Sequence, residues 1–260
     1  MCNFDTSRST SDYLVVFAGQ SNMLGHRSAT DGQKPINSRV FAWSDDGREA
    51  SWRIAELGRP PFNTAVGQPN NAALHFADAL QRKSGGRVHL IGRPINGSTL
   101  LSWSSPTASN MAQLLADIAA GIDALPPLDG SNWKVDSFLW CQGESDDEGA
   151  TMVKERKVAT LAAYRSEFER LVQILQAQSW WSAESSKFIA AELVANGWLA
   201  ARNDFYGDPN QWPAGLKMGV APSADLGDIG DRAHFDGKAL ATMGLRMHTV
   251  RERLAASALL

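Results

Sequence analysis

The chain has 260 residues, 43% of them hydrophobic and 20% charged, with a net charge of −3 and no basic run or stripe. That is ordinary globular composition with enough chain for a substantial core, and it speaks against nucleic acid as a partner. Two cysteines, Cys2 and Cys141, argue against a disulfide framework, and no apolar stretch reaches the length of a membrane span.

Residues 1–12 are polar, lack the apolar segment of a secretory signal, and read as a mobile N-terminus. A soluble protein is expected, cytoplasmic or part of a secreted or phage-borne assembly. The first element is a short β-branched strand, Tyr13–Ala18, closed by Gly19. Further strands are predicted at Val40–Trp43, Val88–Ile95, Val135–Cys141 and Phe188–Val194. Helices are predicted between them at about Asn71–Lys83, Ser109–Ala124 and Met152–Gln178, with a last one over Gly237–Ala256. This alternation argues for a parallel sheet with helices on both faces. With no repeat and no dividing linker, one domain over residues 1–260 is expected. In the third helix Val153, Val158, Leu161, Tyr164, Phe168, Leu171, Ile174 and Leu175 recur at three- and four-residue steps, which marks a scaffold helix with one buried face. The segment Asn196–Met218, rich in Gly, Asn, Asp, Pro and Trp, reads as a long irregular loop. Such a loop either borders a binding site or covers surface.

Ser21 leaves the first strand at the carboxyl edge of the sheet, where open α/β folds place their ligands. It is either a nucleophile or a helix N-cap. A nucleophilic serine needs a base and a group that orients the base. Of the five histidines, His75 and His248 fall on helices and His89 in a strand, which suits structural roles. His26 can line a pocket, but its segment is poorly placed to fold back onto its own serine. His234 lies in a polar loop before the last helix, three residues after Asp231. In a turn that spacing brings the carboxylate to Nδ1 and leaves the other nitrogen to face a serine; the competing reading is a loop whose aspartates cap the helix. Gly97 and Gln142 follow two other strands and offer hydrogen-bond donors to a developing oxyanion.

Together, Gly19-Gln20-Ser21-Asn22-Met23, Asn96-Gly97-Ser98, Gln142-Gly143-Glu144-Ser145-Asp146 and the Asp231…His234 pair resemble the SGNH hydrolase superfamily. More narrowly they resemble its sialate O-acetylesterase and acetylxylan esterase branch, carbohydrate esterase family six. The resemblance implies a three-layer α/β/α sandwich around a five-stranded parallel sheet, flavodoxin-like in outline. It implies Ser21 as nucleophile, His234 as general base and acid, and Asp231 as orienting carboxylate. The oxyanion hole it implies is the backbone N–H of Ser21, the backbone N–H of Gly97 and the side chain of Gln142. Gln20, Asn22 and Glu144 are expected to support these groups, Glu144 by holding the turn that carries Gln142. Neither a cofactor nor a metal is expected. Two positions depart from the pattern: Asn96 stands for the usual first glycine, and Cys141 for a histidine often found before Gln142. The latter is expected to be a buried, inert thiol. The expected function is removal of O-acetyl groups from an acetylated polysaccharide or sialic-acid-type glycan through an acyl-enzyme. The alternatives are a carbohydrate-binding or virion structural module of the same fold, or an esterase of non-sugar esters. The sequence leaves the oligomeric state open.

Overall fold

The computed structural model describes residues 12–257 apart from 29–30, 33–35, 45–49, 58–69, 128–131, 148–149, 152–155 and 159. Its elements in chain order are β1 (Tyr13–Gly19), α1 (Ser21–Leu24), β2 (Val40–Ser44), β3 (Ser51–Ile54), α2 (Ala72–Ser84), β4 (Val88–Pro94) and α3 (Ser109–Asp123). They continue with β5 (Val135–Cys141), α4 (Leu161–Gln176), β6 (Lys187–Ala191), α5 (Asn203–Tyr206), β7 (Met218–Ala221) and α6 (Gly237–Ala256).

Successive side chains of a strand point to opposite faces, and β1 shows what that does to the layers. Leu14, Val16 and Ala18 enter one core, which α3 and α4 close with Met111, Leu114, Ile118, Tyr164, Phe168 and Leu171. Val15 and Phe17 enter the other, which α2 and α6 close with Leu74, Phe76, Leu80, Leu240, Met243 and Met247. Each fully buried Leu, Val or Phe stabilises the fold by about 1.5–3 kcal/mol, so a central strand apolar on both faces commits the sheet to two helical layers. The result is the expected three-layer α/β/α sandwich.

Among the described residues the sheet has seven strands, not the expected five, in the order β3-β2-β4-β1-β5-β6-β7. The run β4-β1-β5-β6-β7 is parallel throughout and has the flavodoxin-like order. Beyond it β2 pairs parallel with β4, and β3 closes the edge antiparallel to β2. The two unforeseen strands have four residues each. In β7, Met-Gly-Val-Ala is too short and too weakly patterned to read as a strand; pairing with β6 makes it one. Strand β6 stops at Ala191 rather than Val194 because the side chain of Asn203 takes both the N–H and the carbonyl of Leu193 (2.7 and 3.1 Å).

Three further expectations are corrected. The third predicted helix begins at Leu161, capped by the Thr160 side chain; residues 152–155 lie outside the described residues. Val158 is buried but not helical, since Asp146 Oδ1 accepts its N–H (2.8 Å) and Arg202 donates to its carbonyl (2.7 Å). Asp12 is held by a two-pronged ion pair with Arg87 (2.6 and 2.9 Å), while residues 1–11 of the expected mobile terminus lie outside the described residues. The segment read as an irregular loop holds α5 and a 3-10 turn at Pro209–Gln211, with Phe205 and Tyr206 fully buried. Among the described residues no helix is long and apolar enough to cross a membrane.

The chain leaves β1 towards β2 and β4 on one side and later returns to β5 on the other. The switch of direction lies at the carboxyl end of β1, where such sheets open a crevice.

Candidate active site

Gly19 ends β1 at φ 125°, and a Cβ there would lie 2.1 Å from the carbonyl oxygen of Cys141. Glycine alone lets the chain leave the strand so close to β5. The next side chain, Gln20, is buried, and its Oε1 accepts from the N–H groups of Gly143 (3.3 Å) and Ser145 (3.2 Å). Gln20 thus joins the turn after β1 to the turn after β5. It also occupies the N-cap position of the one-turn helix α1, without a side-chain cap bond. The cap reading of Ser21 therefore fails: Ser21 is the first helical residue, and its hydroxyl lies 3.1 Å from Nε2 of His234.

The loop before α6 holds that histidine through its own aspartates. Asp231 Oδ1 accepts from the N–H groups of Ala233 and His234, both at 2.9 Å, and Oδ2 lies 2.7 Å from His234 Nδ1. Burial works to raise the Asp231 pKa, but these three hydrogen bonds hold the carboxyl below its usual range. An ionised carboxylate only accepts, so Nδ1 carries the imidazole proton and Nε2 is left to accept from Ser21. The helix-capping reading belongs to a different residue, Asp236, whose side chain accepts from Ala239 N–H at 2.7 Å.

Asn22 links the two halves. Its Oδ1 accepts from Phe235 N–H (2.9 Å), and its Nδ2 donates to Ala233 O (2.9 Å) and to Glu144 Oε1 (2.5 Å). Both neighbours of His234 are therefore gripped by the side chain next to Ser21. Glu144 is 3% exposed, and burial pushes its pKa up to about 6 against the opposing bond from Asn22. It supports Asn22 and the loop of His234 as well as its own turn.

A match to one family model covers residues 11–251, described as carbohydrate esterase, sialic acid-specific acetylesterase. The chain belongs to this family. Membership makes it a carboxylic ester hydrolase acting on carbohydrate acetyl groups. None of the curated proteins compared matches it. Among solved structures it is similar to a protein from Arabidopsis thaliana, 16% identical over 93% of this chain and 98% of that one, TM-score 0.66. It is also similar to NanS (15%, 95% and 97%, TM-score 0.63) and to a carbohydrate acetylesterase from Xanthomonas citri (18%, 94% and 56%, TM-score 0.58). At these identities the likenesses bear on fold alone.

In this acetylesterase the remaining expected residues lie around the same strand ends. Gly97 sits in the turn after β4, tied to β1 because Ile95 N–H and Ser98 Oγ both donate to Gly19 O (2.9 and 3.3 Å). Among the described residues the backbone N–H groups of Ser21 and Gly97 have no protein acceptor. Gln142 differs. It is fully buried, and its Nε2 donates to Asp146 Oδ2 (2.6 Å), with Ser98 O at 3.2 Å and Gln20 Oε1 at 3.3 Å. Tyr164 donates to its Oε1 (2.9 Å), which fixes the orientation of the amide, and Tyr206 donates to its backbone carbonyl (2.6 Å). Cys141 is a free, buried thiol whose pKa is raised by burial, while Cys2 lies outside the described residues.

One neighbour of the site comes closer than its segment suggested. The His26 ring packs against that of His234, with centroids 4.9 Å apart. Helix α1 ends after one turn, with Gly25 and His26 N–H both donating to Ser21 O, and Arg27 follows at φ 55°. That reversal returns His26 to its own serine. Burial, and then the proximity of His234, lower its pKa. His75, His89 and His248 contact Asn70, an aromatic cluster and Phe76 respectively, away from Ser21.

Proposed function

We propose that this family member removes O-acetyl groups from acetylated polysaccharide or sialic-acid-type glycans through a Ser21–His234–Asp231 triad and an acyl-enzyme. The observation that carries the reading is the pair of contacts on His234, 3.1 Å from Nε2 to Ser21 Oγ and 2.7 Å from Nδ1 to Asp231 Oδ2. Ser21 Oγ attacks the acetyl carbonyl as Nε2 takes its proton, and the carbonyl π pair moves onto oxygen. The N–H groups of Ser21 and Gly97, which have no acceptor among the described residues, are the donors this reading assigns to that oxyanion. On collapse the C–O bond to the sugar breaks, the proton on Nε2 passes to the leaving alkoxide, and acetyl remains on Ser21. A water deprotonated by Nε2 then adds to the acetyl group, and acetate leaves as the serine is reprotonated.

In this reading Gln142 supplies the third donor by turning the hydrogen shared between Ser98 O (3.2 Å) and Gln20 Oε1 (3.3 Å) to the oxyanion while Asp146 keeps the other hydrogen. An oxyanion donor lowers the barrier by about 3–4 kcal/mol, so Gln142→Ala is expected to lower kcat about a hundredfold or more. Steady-state kinetics beside a thermal unfolding curve check this; an unchanged kcat removes Gln142 from the hole.

The reading as a whole is tested by incubating the protein with a panel of O-acetylated glycans and measuring released acetate. Release by the unsubstituted protein and background rates with Ser21→Ala are expected. Equal background rates in both would sink the esterase reading in favour of a binding module.

A further inference from the structure

Of nine tryptophans, one is exposed to solvent. Trp52, Trp103, Trp133, Trp140, Trp180 and Trp181 are buried, Trp43 and Trp212 half-buried, while Trp198 is 49% exposed. An exposed indole offers a large apolar face with a polar edge, and what it can contact depends on its place and the way it is held. Trp198 follows β6, at the same carboxyl edge as Ser21, Gly97 and Gln142. Its Nε1 donates to the backbone carbonyl of Asp231 at 3.0 Å, the residue whose carboxylate holds His234.

The segment bearing it is tied to the triad loop by other contacts as well. Arg232 donates from Nε and Nη2 to Asn196 O (3.2 and 2.9 Å). Gly197 approaches so closely that a Cβ there would lie 2.6 Å from Arg232 O. Arg232 itself adopts φ 57°; among the described residues it and Arg27 are the only non-glycines in the left-handed region, and both adjoin the site. Strained backbone of this kind persists where the surroundings enforce it, and it clusters at functional sites. The indole is thus an exposed ring fixed in advance, a contact surface that loses little conformational freedom on binding.

We infer that Trp198 is a stacking platform for a sugar ring of the substrate. The apolar C–H face of a pyranose lies on the electron-rich indole face while the hydroxyl groups stay in water. Because the platform hangs from Asp231, its distance to His234 and Ser21 is set by the same short loop. The inference rests on the carbohydrate reading proposed above and adds to it the residue that recognises the ring.

Two esters separate the roles. Ethyl acetate has the bond to be cleaved and no ring; a mono-O-acetylated methyl pyranoside has both. For Trp198→Ala the ratio of kcat/KM for the pyranoside to that for ethyl acetate is expected to fall about tenfold, carried by KM, the size of one good aromatic contact. Trp198→Phe, which keeps a ring but loses the bond to Asp231 O, is expected to hold the ratio within about threefold. In Ser21→Ala protein, titration with the pyranoside should change tryptophan fluorescence, and the added Trp198→Phe substitution should abolish that change. Equal losses on both esters, or an unchanged ratio, overturn the platform while leaving deacetylation standing. Hydrolysis of ethyl acetate with none of any O-acetylated pyranoside removes the carbohydrate reading, and the platform with it.

Discussion

Asp231→Asn is expected to lower kcat for acetyl-ester hydrolysis by about 10³- to 10⁴-fold while leaving the fold in place. Asparagine can keep the two backbone bonds that Asp231 Oδ1 accepts from Ala233 and His234, so the loop retains its shape. What changes is the atom 2.7 Å from His234 Nδ1. A carboxylate oxygen there accepts, whereas an amide nitrogen donates. The imidazole answers by carrying its proton on Nε2, which then points a hydrogen at Ser21 Oγ and cannot take one from it. The loss falls on the chemical step and therefore on kcat, with thermal unfolding close to that of the unsubstituted protein. A kcat within tenfold of the unsubstituted value, on folded protein, would remove Asp231 from the triad.

The residues that this prediction turns on stand out in the sequence by their position and by the motifs they belong to. Gly19, Ser21, Gln142, Asp231 and His234 all stand at strand ends or in a polar loop, where the pattern of the chain breaks. The five-residue blocks around Ser21 and Gln142 also carried the support roles, yet the sequence does not say what Asn22 touches. Its partners are Glu144, 122 residues on, and Ala233, 211 residues on. The same holds for secondary structure. Val158 fits the helical period of α4, but its backbone is claimed by Asp146 and Arg202, 12 and 44 residues away, and the helix starts after it. Strands β3 and β7 are short segments whose pairing, not pattern, makes them strands. His26 reads in the sequence as able to line a pocket but poorly placed to fold back onto its own serine; α1 has one turn, and the reversal after it is not written in any period. Periodicity reports burial along one element, and each of these misses is decided by contact with another.

The linkage of the two sheet-end turns explains why the site demands so many polar residues without exposing them. Gln20, Asn22, Gln142, Glu144 and Asp146 are buried, a placement that costs stability unless hydrogen bonds are made. Here the bonds run between segments: Gln20 to the turn after β5, Asn22 to the loop before α6, and Asp146 to Leu100 N–H and Val158 N–H. The polar side chains therefore hold otherwise separate loops at one geometry, which brings Ser21 and His234, 213 residues apart in the chain, within hydrogen-bond distance.

A large pH effect on stability is expected from a histidine far from the site. His89 in β4 is 2% exposed, with its ring among those of Phe41, Trp52 and Trp133 at centroid distances of 5.1 to 5.4 Å, and its buried Nδ1 has no hydrogen-bond partner among the described residues. Burial lowers its pKa to about 4, outweighing Asp12 and the backbone of Tyr13, which favour the charged form; Arg87 opposes it. In the unfolded chain this imidazole takes a proton near pH 6.5, while in the folded protein it stays neutral down to about 4. Unfolding therefore takes up a proton in that window. The stability that His89 contributes is complete above pH 6.5 and lost as pH falls towards 4, about 3 kcal/mol in all. Glu144 works in the opposite sense: with its pKa raised to about 6, acidification from 6 to 4.5 returns about 2 kcal/mol. The two partly cancel in the unsubstituted protein, so the test is a difference. Urea unfolding of the unsubstituted protein and of His89→Phe at pH 7, 5.5 and 4 should show the gap between them shift by about 3 kcal/mol in favour of the variant as pH falls. Any change in packing made by the phenyl ring is the same at every pH and drops out of that shift. Parallel curves would mean that the aromatic surroundings accept the imidazolium, with the rings stabilising the cation enough to offset its burial.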